Sequence, residues 1–484
     1  MNNTTVFSNL IWRFAERIGA QLVSFIVSIV IARILDPDAY GTVALIIVFT
    51  SILQVFVDSG LGNALIQKKD ADNLDFSTVF YTNIIFCASL YLILFFCAPL
   101  ISCFYDNSEL TPYVRVLGIT LLISGVKNVQ QAYVSRHMIF KKFFFATLSG
   151  TIIAGIVGIA MAYNGKGVWA LVTQQLVNMF IDTLILWATV KWRPSLSFSF
   201  GRLKVLFSYG WKLLISDLIS TIYVDLRQLL IGKIYSSADL AYYNQGSKIP
   251  NLIVRNVNAS IDSVLLPAMS NEQDDKRRVK AMTRKSIKVS VYVMAPLMMG
   301  LAFLAEPLIL VLLTEKWLPC ILYLRIFCIT LMFFPIHTAN LNAIKALGRS
   351  DVYLKLEIIK KIMGLALLFI SVQISVKAIA YSLLISELLS QIINTFPNMK
   401  LLNYNYWDQI KDITPSVLLA IVMGILIYPI SFLHINVLVQ LVLQIFIGVL
   451  LYWLGSMFFK LDTYLYLKKI LTAYIYKSQV GIKP

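Results

Sequence analysis

The sequence predicts an all-α integral membrane protein of about 14 transmembrane helices, built as two six-helix lobes in a parallel repeat plus two extra C-terminal helices. Composition is the first indication: 58% of the 484 residues are hydrophobic and 14% are charged, whereas soluble domains are nearer half apolar and a quarter charged. Apolar runs long enough to cross a hydrocarbon core of about 30 Å recur along the chain. The two halves of the chain also resemble each other.

Apolar runs separated by turn residues define the predicted spans. They are 9–34, 40–58, 76–104, 113–134, 143–163, 167–190, 208–235, 239–268, 287–313, 319–344, 354–374, 377–399, 413–433 and 435–459. Met1–Leu10 has no basic stretch of the kind that precedes a cleaved signal, so we expect the first span to be retained.

The segments between the spans alternate in charge. Basic residues cluster on one side, for example at Lys276–Lys285, and the opposite side carries short segments such as Asp36–Asp38. The positive-inside rule then places both termini in the cytoplasm, which requires an even number of spans. The net charge of +17 follows from these cytoplasmic segments, so no nucleic-acid partner is predicted.

An internal repeat sets the predicted domain boundaries. The run Arg115–Leu121 in the first half matches Arg325–Leu331 in the second. Six spans per repeat is an even number, so both repeats have the same orientation in the membrane. The predicted domains are an N-lobe 1–191, an amphipathic linker 192–207, a C-lobe 208–400, helices 13 and 14 at 401–459, and a cytoplasmic tail 460–484.

Polar side chains form stripes on four of the predicted spans, the first, second, seventh and eighth. On the eighth span they recur every three or four residues, which is one face of a helix. A charge facing lipid at that depth costs roughly 2.5–3.5 kcal/mol, so we expect these faces to line a cleft between the lobes. The predicted substrate-binding cations are Arg13, Arg17, Arg227, Lys248 and Arg255. The predicted polar lining is Gln21, Gln54, Asp58, Tyr223, Asn244, Asn251, Asn258 and Asp262.

Structural ion pairs are the alternative interpretation of these charges, for example Arg227 with Asp217 or Asp225. Candidate ion-coupling residues are Asp217, Asp225, Glu357 and Glu387. His337 in the tenth span is either a proton site or a satisfied core histidine, and the second interpretation is favoured. The five cysteines have neither paired spacing nor nearby histidines, so no metal site and no cofactor is predicted beyond Na⁺ or H⁺ coupling.

A cationic cleft suits phosphate, since arginine and lysine bind phosphate oxygens strongly, while amides and hydroxyls suit sugars. An exporter of organic cations would instead need unpaired carboxylates. We find no nucleotide-binding, serine-hydrolase or zinc-protease motif, so no enzymatic activity is predicted.

Several helix ends carry recognisable motifs. The segments Ala32–Gly41, Asp58–Gln67, Val264–Pro267 and Glu315–Trp317 resemble those of Wzx-type polysaccharide flippases, most closely the colanic-acid and teichuronic-acid exporters. Their superfamily is that of multidrug, oligosaccharidyl-lipid and polysaccharide exporters. The resemblance implies fourteen helices in the bacterial inner membrane and a cavity open alternately to either side. It also implies an undecaprenyl-pyrophosphate-linked repeat unit as cargo.

The predicted function is a flippase that moves lipid-linked oligosaccharide from the inner to the outer leaflet by alternating access. The product would serve O-antigen, capsule or exopolysaccharide biosynthesis. Expected partners are the lipid-linked substrate, the bilayer and polysaccharide polymerase machinery. Two alternatives remain: a multidrug or organic-cation exporter of the same superfamily, and a membrane polysaccharide polymerase or ligase.

Overall fold

The computed structural model of the protein describes residues 3–58, 60–433 and 435–479. Within those ranges, the structure does not describe the side chains of residues 3–11, 13, 14, 17, 209, 471 and 473–479. The chain divides into two compact units, Met1–Ala241 and Tyr242–Pro484.

Unit 1 is helical throughout its described length apart from short connections. Its helices are α1 (Asn3–Ile34), α2 (Pro37–Asp58), α3 (Leu61–Gln67), α4 (Asn73–Phe104), α5 (Leu110–Arg136), α6 (Lys141–Tyr163), α7 (Val168–Thr189) and α8 (Phe200–Ile234). A ninth helix, α9 (Ser237–Ser270), starts at the end of unit 1 and lies for most of its length in unit 2.

Unit 2 continues with shorter helices among the long ones. They are α10 (Lys276–Phe303), α11 (Ala305–Leu312), α12 (Cys320–Met332), α13 (Phe334–Ala346), α14 (Ser350–Ser371), α15 (Val376–Leu402), α16 (Tyr406–Ile427), α17 (Val437–Phe458) and α18 (Asp462–Gln479). The predicted ninth and tenth spans are each interrupted, at Leu304 and at Phe333. Pro307 and Pro335 follow these breaks and are tolerated because a proline near a helix start has no backbone hydrogen bond to lose.

Polar residues cap the starts of several helices. The Asp72 carboxylate accepts a hydrogen bond from the Asp75 backbone N–H at 3.0 Å, and the Asp75 carboxylate accepts one from the Asp72 backbone N–H at 3.1 Å. Asn405 and Asp408 form the same reciprocal arrangement at the start of α16. Because the first four N–H groups of a helix have no partner within it, such residues define where each helix begins.

Ten helical segments in the described ranges are long and apolar enough to cross a membrane, or eleven if α8, bent by 48°, counts as one span. The protein is therefore a multi-pass helical membrane protein. The predicted first, eighth and eleventh spans are also helical, as α1, α9 and α14. Helices α9 and α14 carry several charged residues in their middle sections, so composition alone does not assign them to the membrane. The full count of fourteen stays a prediction, as do the predicted lobe boundaries.

Unit 1 packs through close helix approaches. Helix α6 lies against α1 and α7, α4 against α5, and α2 against both α5 and α8. A Cβ on Gly41, near the start of α2, would come within 1.7 Å of the Ser237 carbonyl oxygen. Glycine is therefore required at that crossing. The repeat assigns α8 to the second lobe, whereas in the structure it packs against α2 within unit 1.

In unit 2, α10 packs against α12, α13 and α16, and α15 packs against α12, α13 and α14. Helix α17 lies on α16 and α11. The core of this unit contains an unusual number of buried amide side chains. Asn340, Asn394, Asn398 and Gln409 all have at most 2% of their surface exposed.

Candidate functional site

The predicted substrate-binding cations fall in both units, and each unit is described by itself. The side chains of Arg13 and Arg17 lie outside the described residues. Arg227 is a half-buried residue of α8 in unit 1, while Lys248 is half-buried and Arg255 exposed on α9 in unit 2.

Arg227 has an unsatisfied donor. Its Nε atom is buried and has no hydrogen-bond partner in the part of the chain that the structure describes. Asp225 on the same helix accepts instead from Ser51 Oγ at 2.6 Å and from Gln228 Nε2 at 3.3 Å. An unpartnered buried guanidinium N–H costs free energy, so Arg227 is a site where an anionic or carbonyl oxygen would be stabilised.

A polar cavity of about 390 Å³ lies within unit 1, among α2, α5, α6 and α7. The predicted Gln54 and Asp58 are in its wall. Gln54 Nε2 donates to Asp58 Oδ1 at 3.0 Å, and Asn128 Nδ2 donates to the same oxygen at 3.3 Å. The remaining wall is Ile47, Thr50, Ser51, Thr120, Ser124, Lys127, Gln131, Thr147, Gln175, Asn178, Met179 and Asp182.

A buried ion pair crosses one side of this cavity. Lys127 Nζ on α5 lies 2.5 Å from Asp182 Oδ2 on α7, and the two side chains are 12% and 10% exposed. The second carboxylate oxygen, Asp182 Oδ1, is buried without a hydrogen-bond partner among the described residues. The wall thus offers an unused acceptor beside amides and hydroxyls, which is chemistry that suits the hydroxyl groups of a sugar.

The charge of this wall differs from that of the predicted cleft. Among its described residues, Asp58 and Asp182 face a single cation, Lys127. Repulsion between carboxylates and phosphate oxygens disfavours a pyrophosphate in this cavity. The cavity therefore fits an uncharged hydrophilic group better than an anion.

The predicted stripe on α9 is present as one helix face in unit 2. Its C-terminal part is attached to α13, since Asn258 Oδ1 accepts from Thr338 Oγ1 at 2.5 Å and Asp262 Oδ1 accepts from Asn342 Nδ2 at 2.8 Å. In its middle, Asn251 Nδ2 donates to the Ser247 carbonyl oxygen at 2.9 Å. Asn244, nearer the start of α9, is half-buried.

Lys248 and Arg255 differ from their neighbours on this face. Neither cation forms an ion pair with a carboxylate within residues 3–58, 60–433 and 435–479. They are therefore available to an anion.

The other predicted residues lie in separate places. Gln21 on α1 and Tyr223 on α8 are half-buried, and neither is in the wall of the polar cavity. Of the ion-coupling candidates, Asp217 is exposed and Glu357 pairs with Lys360 at 2.5 Å. Glu387 Oε2 lies 3.4 Å from His337 Nε2.

An apolar groove of about 500 Å³ runs along unit 2 between α10, α16 and α17. Its wall includes Pro296, Leu297, Met423, Ile445 and Val449. Among the polar groups of the wall, the Gln444 side chain donates to the Ile427 carbonyl oxygen at 3.1 Å. The groove has the dimensions and polarity of a site for a hydrocarbon chain.

A family model described as polysaccharide biosynthesis protein matches residues 30–322, more than half of the 484-residue chain. The chain belongs to this family. The match confirms the resemblance that the helix-end motifs indicated.

Three relatives of this polysaccharide biosynthesis protein come from different bacteria. The chain is 27% identical to the teichuronic acid biosynthesis protein TuaB of Bacillus subtilis, over 62% of this chain and 63% of TuaB. It is 24% identical to the succinoglycan biosynthesis transport protein ExoT of Rhizobium meliloti, over 66% of this chain and 64% of ExoT. It is 23% identical to the lipopolysaccharide biosynthesis protein WzxC of Escherichia coli, over 80% of this chain and 77% of WzxC. The first two alignments thus span just under two thirds of those relatives.

Solved structures establish the fold of this polysaccharide biosynthesis protein. An inward closed conformation of the lipid II flippase MurJ superposes with a TM-score of 0.75 at 15% identity, covering 93% of this chain and 99% of MurJ. An inward-facing multidrug resistance transporter of the MATE family superposes with a TM-score of 0.62 at 16% identity, covering 80% of this chain and 98% of the transporter. Both of these are transport proteins, and none of the relatives named above carries the name of an enzyme.

Most of the polar cavity's wall was not predicted from the sequence. The main polar residues that were not predicted are Lys127, Gln175, Asn178 and Asp182. A signal was present, because Lys127 and Asp182 are charges inside apolar runs, which is the criterion that singled out Lys248. Both also lie on polar stripes at helical spacing, with Thr120, Ser124 and Gln131 on α5 and with Gln175 and Asn178 on α7, so the same search extended to these two helices would have found them.

Proposed function

We propose that this chain is a flippase that carries a lipid-linked oligosaccharide across the bacterial inner membrane for surface polysaccharide synthesis. The observation that carries the proposal is the polar cavity within the apolar helices of unit 1, with its buried Lys127–Asp182 pair. Proteins named for polysaccharide transport and for lipid II flipping share this chain's family or fold. Each buried polar group is costly unless it is used, which favours a hydrophilic cargo at this depth.

The sugar portion would bind in the polar cavity. Moving a hydroxyl from water into a purely apolar medium costs about 4–8 kcal/mol of free energy. An oligosaccharide therefore needs hydrogen-bond partners in place of water throughout its passage. Gln54, Asp58, Gln175, Asn178 and Asp182 supply donors and acceptors of this kind. A volume of about 390 Å³ admits a short stretch of sugar rather than a whole chain.

The pyrophosphate would bind to cations without carboxylate partners. Lys248 and Arg255 meet that description in unit 2, and Arg227 has a free buried Nε in unit 1. Arginine gives two parallel hydrogen bonds to phosphate oxygens, and lysine provides a compact charge. We propose Lys248 and Arg255 of unit 2 as head-group ligands, Arg227 as an anion contact within unit 1, and alternating access as the way in which the bound group reaches the outer leaflet.

The polyprenyl tail would occupy the apolar groove of unit 2. Lipid tails are as apolar as the groove, so moving the polyprenyl chain into it from the bilayer yields no hydrophobic gain. The groove would therefore select by shape, through the small residues Gly300 and Gly448, and would orient the tail rather than hold it tightly. Undecaprenyl pyrophosphate is the carrier that we propose.

The experiment deletes the gene in its source bacterium and measures two quantities, surface polysaccharide and lipid-linked oligosaccharide retained in the cytoplasmic leaflet. Loss of the first and accumulation of the second are expected, with recovery on a plasmid carrying the wild-type chain. Lys248→Ala and Arg255→Ala should fail to restore export at normal protein level, while Lys316→Ala is a control outside the proposed site. Normal surface polysaccharide together with altered susceptibility to cationic drugs would overturn the proposal in favour of multidrug export.

A further inference from the structure

A small pocket of about 380 Å³ lies between α10 and α18 in unit 2. Lys288 Nζ on α10 is 2.9 Å from Asp462 Oδ2 on α18, and Lys285 Nζ is 3.8 Å from the centre of the Tyr466 ring. These two contacts join the helices across the pocket. Its polar lining consists of Arg284, Lys285, Lys288, Asp462, Thr463 and Tyr466. The pocket shares no residue with the polar cavity or with the stripe on α9.

The pocket lies where α10 changes from charged to apolar. Lys288 is the last charged residue of this helix, and the segment from Val289 to Phe303 is uncharged. The first part of α10, from Lys276 to Lys288, is strongly basic. The positive-inside rule predicts the cytoplasmic side for such a segment. We therefore expect the pocket at the depth of the lipid head groups of the inner leaflet.

The charges around the pocket leave one cation in excess. Arg284 Nε lies 2.6 Å from Asp412 Oδ2, and Lys288 is paired with Asp462. Lys285, by contrast, has no carboxylate within ion-pair distance among the residues that the structure describes. Three cations and two carboxylates give a net charge of +1, which matches the single negative charge of a phosphodiester. A pyrophosphate carries more negative charge than this pocket would balance.

An apolar strip of α10 continues from the pocket. Val289, Val293 and Pro296 follow Lys285 at spacings of four, four and three residues, which places them on one helix face. Val293 and Pro296 also lie in the wall of the apolar groove. At about 1.5 Å per residue the strip is about 16 Å long, roughly half of a hydrocarbon core of about 30 Å. It is therefore long enough for an acyl chain of one leaflet.

We propose that this pocket binds an anionic phospholipid of the inner leaflet, with the phosphate beside Lys285 and one acyl chain along Val289 and Val293. Basic pockets between helices at the cytoplasmic side of a membrane suit such head groups. Lys285 donates to a phosphate oxygen, and the hydroxyls of Thr463 and Tyr466 provide further donors. The bound lipid then links α18 to α10. This ligand is a component of the membrane rather than the cargo, so the inference goes beyond the proposed function.

Native mass spectrometry of the purified full-length protein in detergent tests the site. Phosphatidylglycerol is titrated into the protein, and phosphatidylcholine, which has the same phosphate but no net charge, is titrated in parallel. We expect tighter binding of phosphatidylglycerol. Lys285→Ala should weaken that binding about fivefold, which is the effect of removing one basic residue next to an anionic lipid. Lys285→Arg should retain it, because a cation over the Tyr466 ring is kept.

Lys355→Ala is the matched control, since Lys355 is an exposed lysine of α14 that does not line the pocket. Phosphatidylglycerol binding should be unchanged in this variant. Equal affinity of the wild type and Lys285→Ala for phosphatidylglycerol would overturn the proposal, as would equal affinity of the wild type for the two phospholipids.

A third titration distinguishes the phospholipid from the polyprenyl carrier. Undecaprenyl phosphate should bind less tightly at this pocket than phosphatidylglycerol. If it binds more tightly and this binding is lost in Lys285→Ala, the pocket belongs to the carrier and the phospholipid assignment is wrong. None of these results bears on the gene-deletion experiment, so the flippase proposal is tested separately.

Discussion

Lys127 Nζ on α5 and Asp182 Oδ2 on α7 lie 2.5 Å apart in the wall of the polar cavity of unit 1. Fifty-four residues of sequence lie between Lys127 and Asp182, so the packing of α5 against α7 brings the two charges together. Two opposite charges held in an apolar helix bundle stabilise each other only while both are present.

The first prediction concerns removal of one member of this pair. Asp182→Asn should leave Lys127 buried without a counter-charge and lower the free energy of unfolding by about 3–5 kcal/mol. The measurement is thermal unfolding of the purified protein in detergent, followed by fluorescence of its tryptophans.

A double variant separates stability from function at the same site. Lys127→Met combined with Asp182→Leu replaces the pair with apolar groups and should recover most of the lost stability. Surface polysaccharide should stay low, because the sugar-binding groups are gone. Equal unfolding temperatures for Asp182→Asn and wild type would contradict the buried pair.

The second prediction concerns the contact between α2 and α8. Ser51→Ala removes the 2.6 Å hydrogen bond to Asp225 and leaves a buried carboxylate oxygen unpaired, at a cost of about 1–3 kcal/mol. Ser89→Ala is the matched control, since that exposed hydroxyl bonds only the Ile85 carbonyl of its own helix. If both variants unfold like the wild type, the Ser51–Asp225 bond contributes nothing to the packing of α8.

The third prediction concerns the amide network of unit 2. Asn340 Oδ1 accepts from both Gln409 Nε2 at 3.0 Å and Asn398 Nδ2 at 2.8 Å. Asn340→Leu should therefore leave the buried Gln409 Nε2 without an acceptor, at a cost of about 1–3 kcal/mol, while Asn398 Nδ2 keeps its hydrogen bond to the Asn340 backbone carbonyl at 3.1 Å. Hydrogen exchange of the α13 and α15 backbone should increase, while exchange in unit 1 stays unchanged. Unaltered exchange in α13 would show that the network is not needed for packing.

The fourth prediction concerns pH at the edge of the membrane. The Arg202 side chain, hydrogen-bonded to Asp72 at 2.5 Å, lowers the pKa of that carboxyl below its ordinary value. A depressed carboxyl pKa contributes stability above the unfolded pKa of about 3.9, and this is lost as the pH falls through the folded pKa. Since Asp72 is largely exposed, solvent screening keeps the effect below about 1 kcal/mol. Arg202→Gln should lower the unfolding temperature slightly at neutral pH, and this difference from wild type should disappear under acid conditions.

Much of the fold follows from periodicity, because an apolar run flanked by caps has few alternatives to a membrane helix. The stripe on α9 was recognisable in this way, whereas α4 begins at Asn73, three residues before the start predicted for its span. The breaks at Leu304 and Phe333 were not recognisable, since the apolar sequence continues through each of them.

The candidate site was less predictable for a related reason. A stripe such as Lys248 to Asp262 repeats at helical spacing and can be found in one segment. The polar cavity instead combines residues from four helices, and its net charge depends on which of them meet. Likewise, the Asn394–His337 contact joins residues on separate helices, so the partner of His337 could not be named from the sequence.

The last prediction compares two glycines near the apolar groove. A Cβ on Gly448 would meet Ile427 at 3.7 Å, an ordinary contact, whereas a Cβ on Gly424 would lie 2.2 Å from the Phe303 ring. Gly448→Ala should therefore fold normally, and Gly424→Ala should force α16 away from α10 and lower the unfolding temperature. The larger Gly448→Leu fills the groove and should reduce surface polysaccharide at normal protein level, because the polyprenyl tail is displaced. Full export by Gly448→Leu would mean that the tail lies elsewhere, and equal stability of the two alanine variants would contradict the packing of α16 on α10.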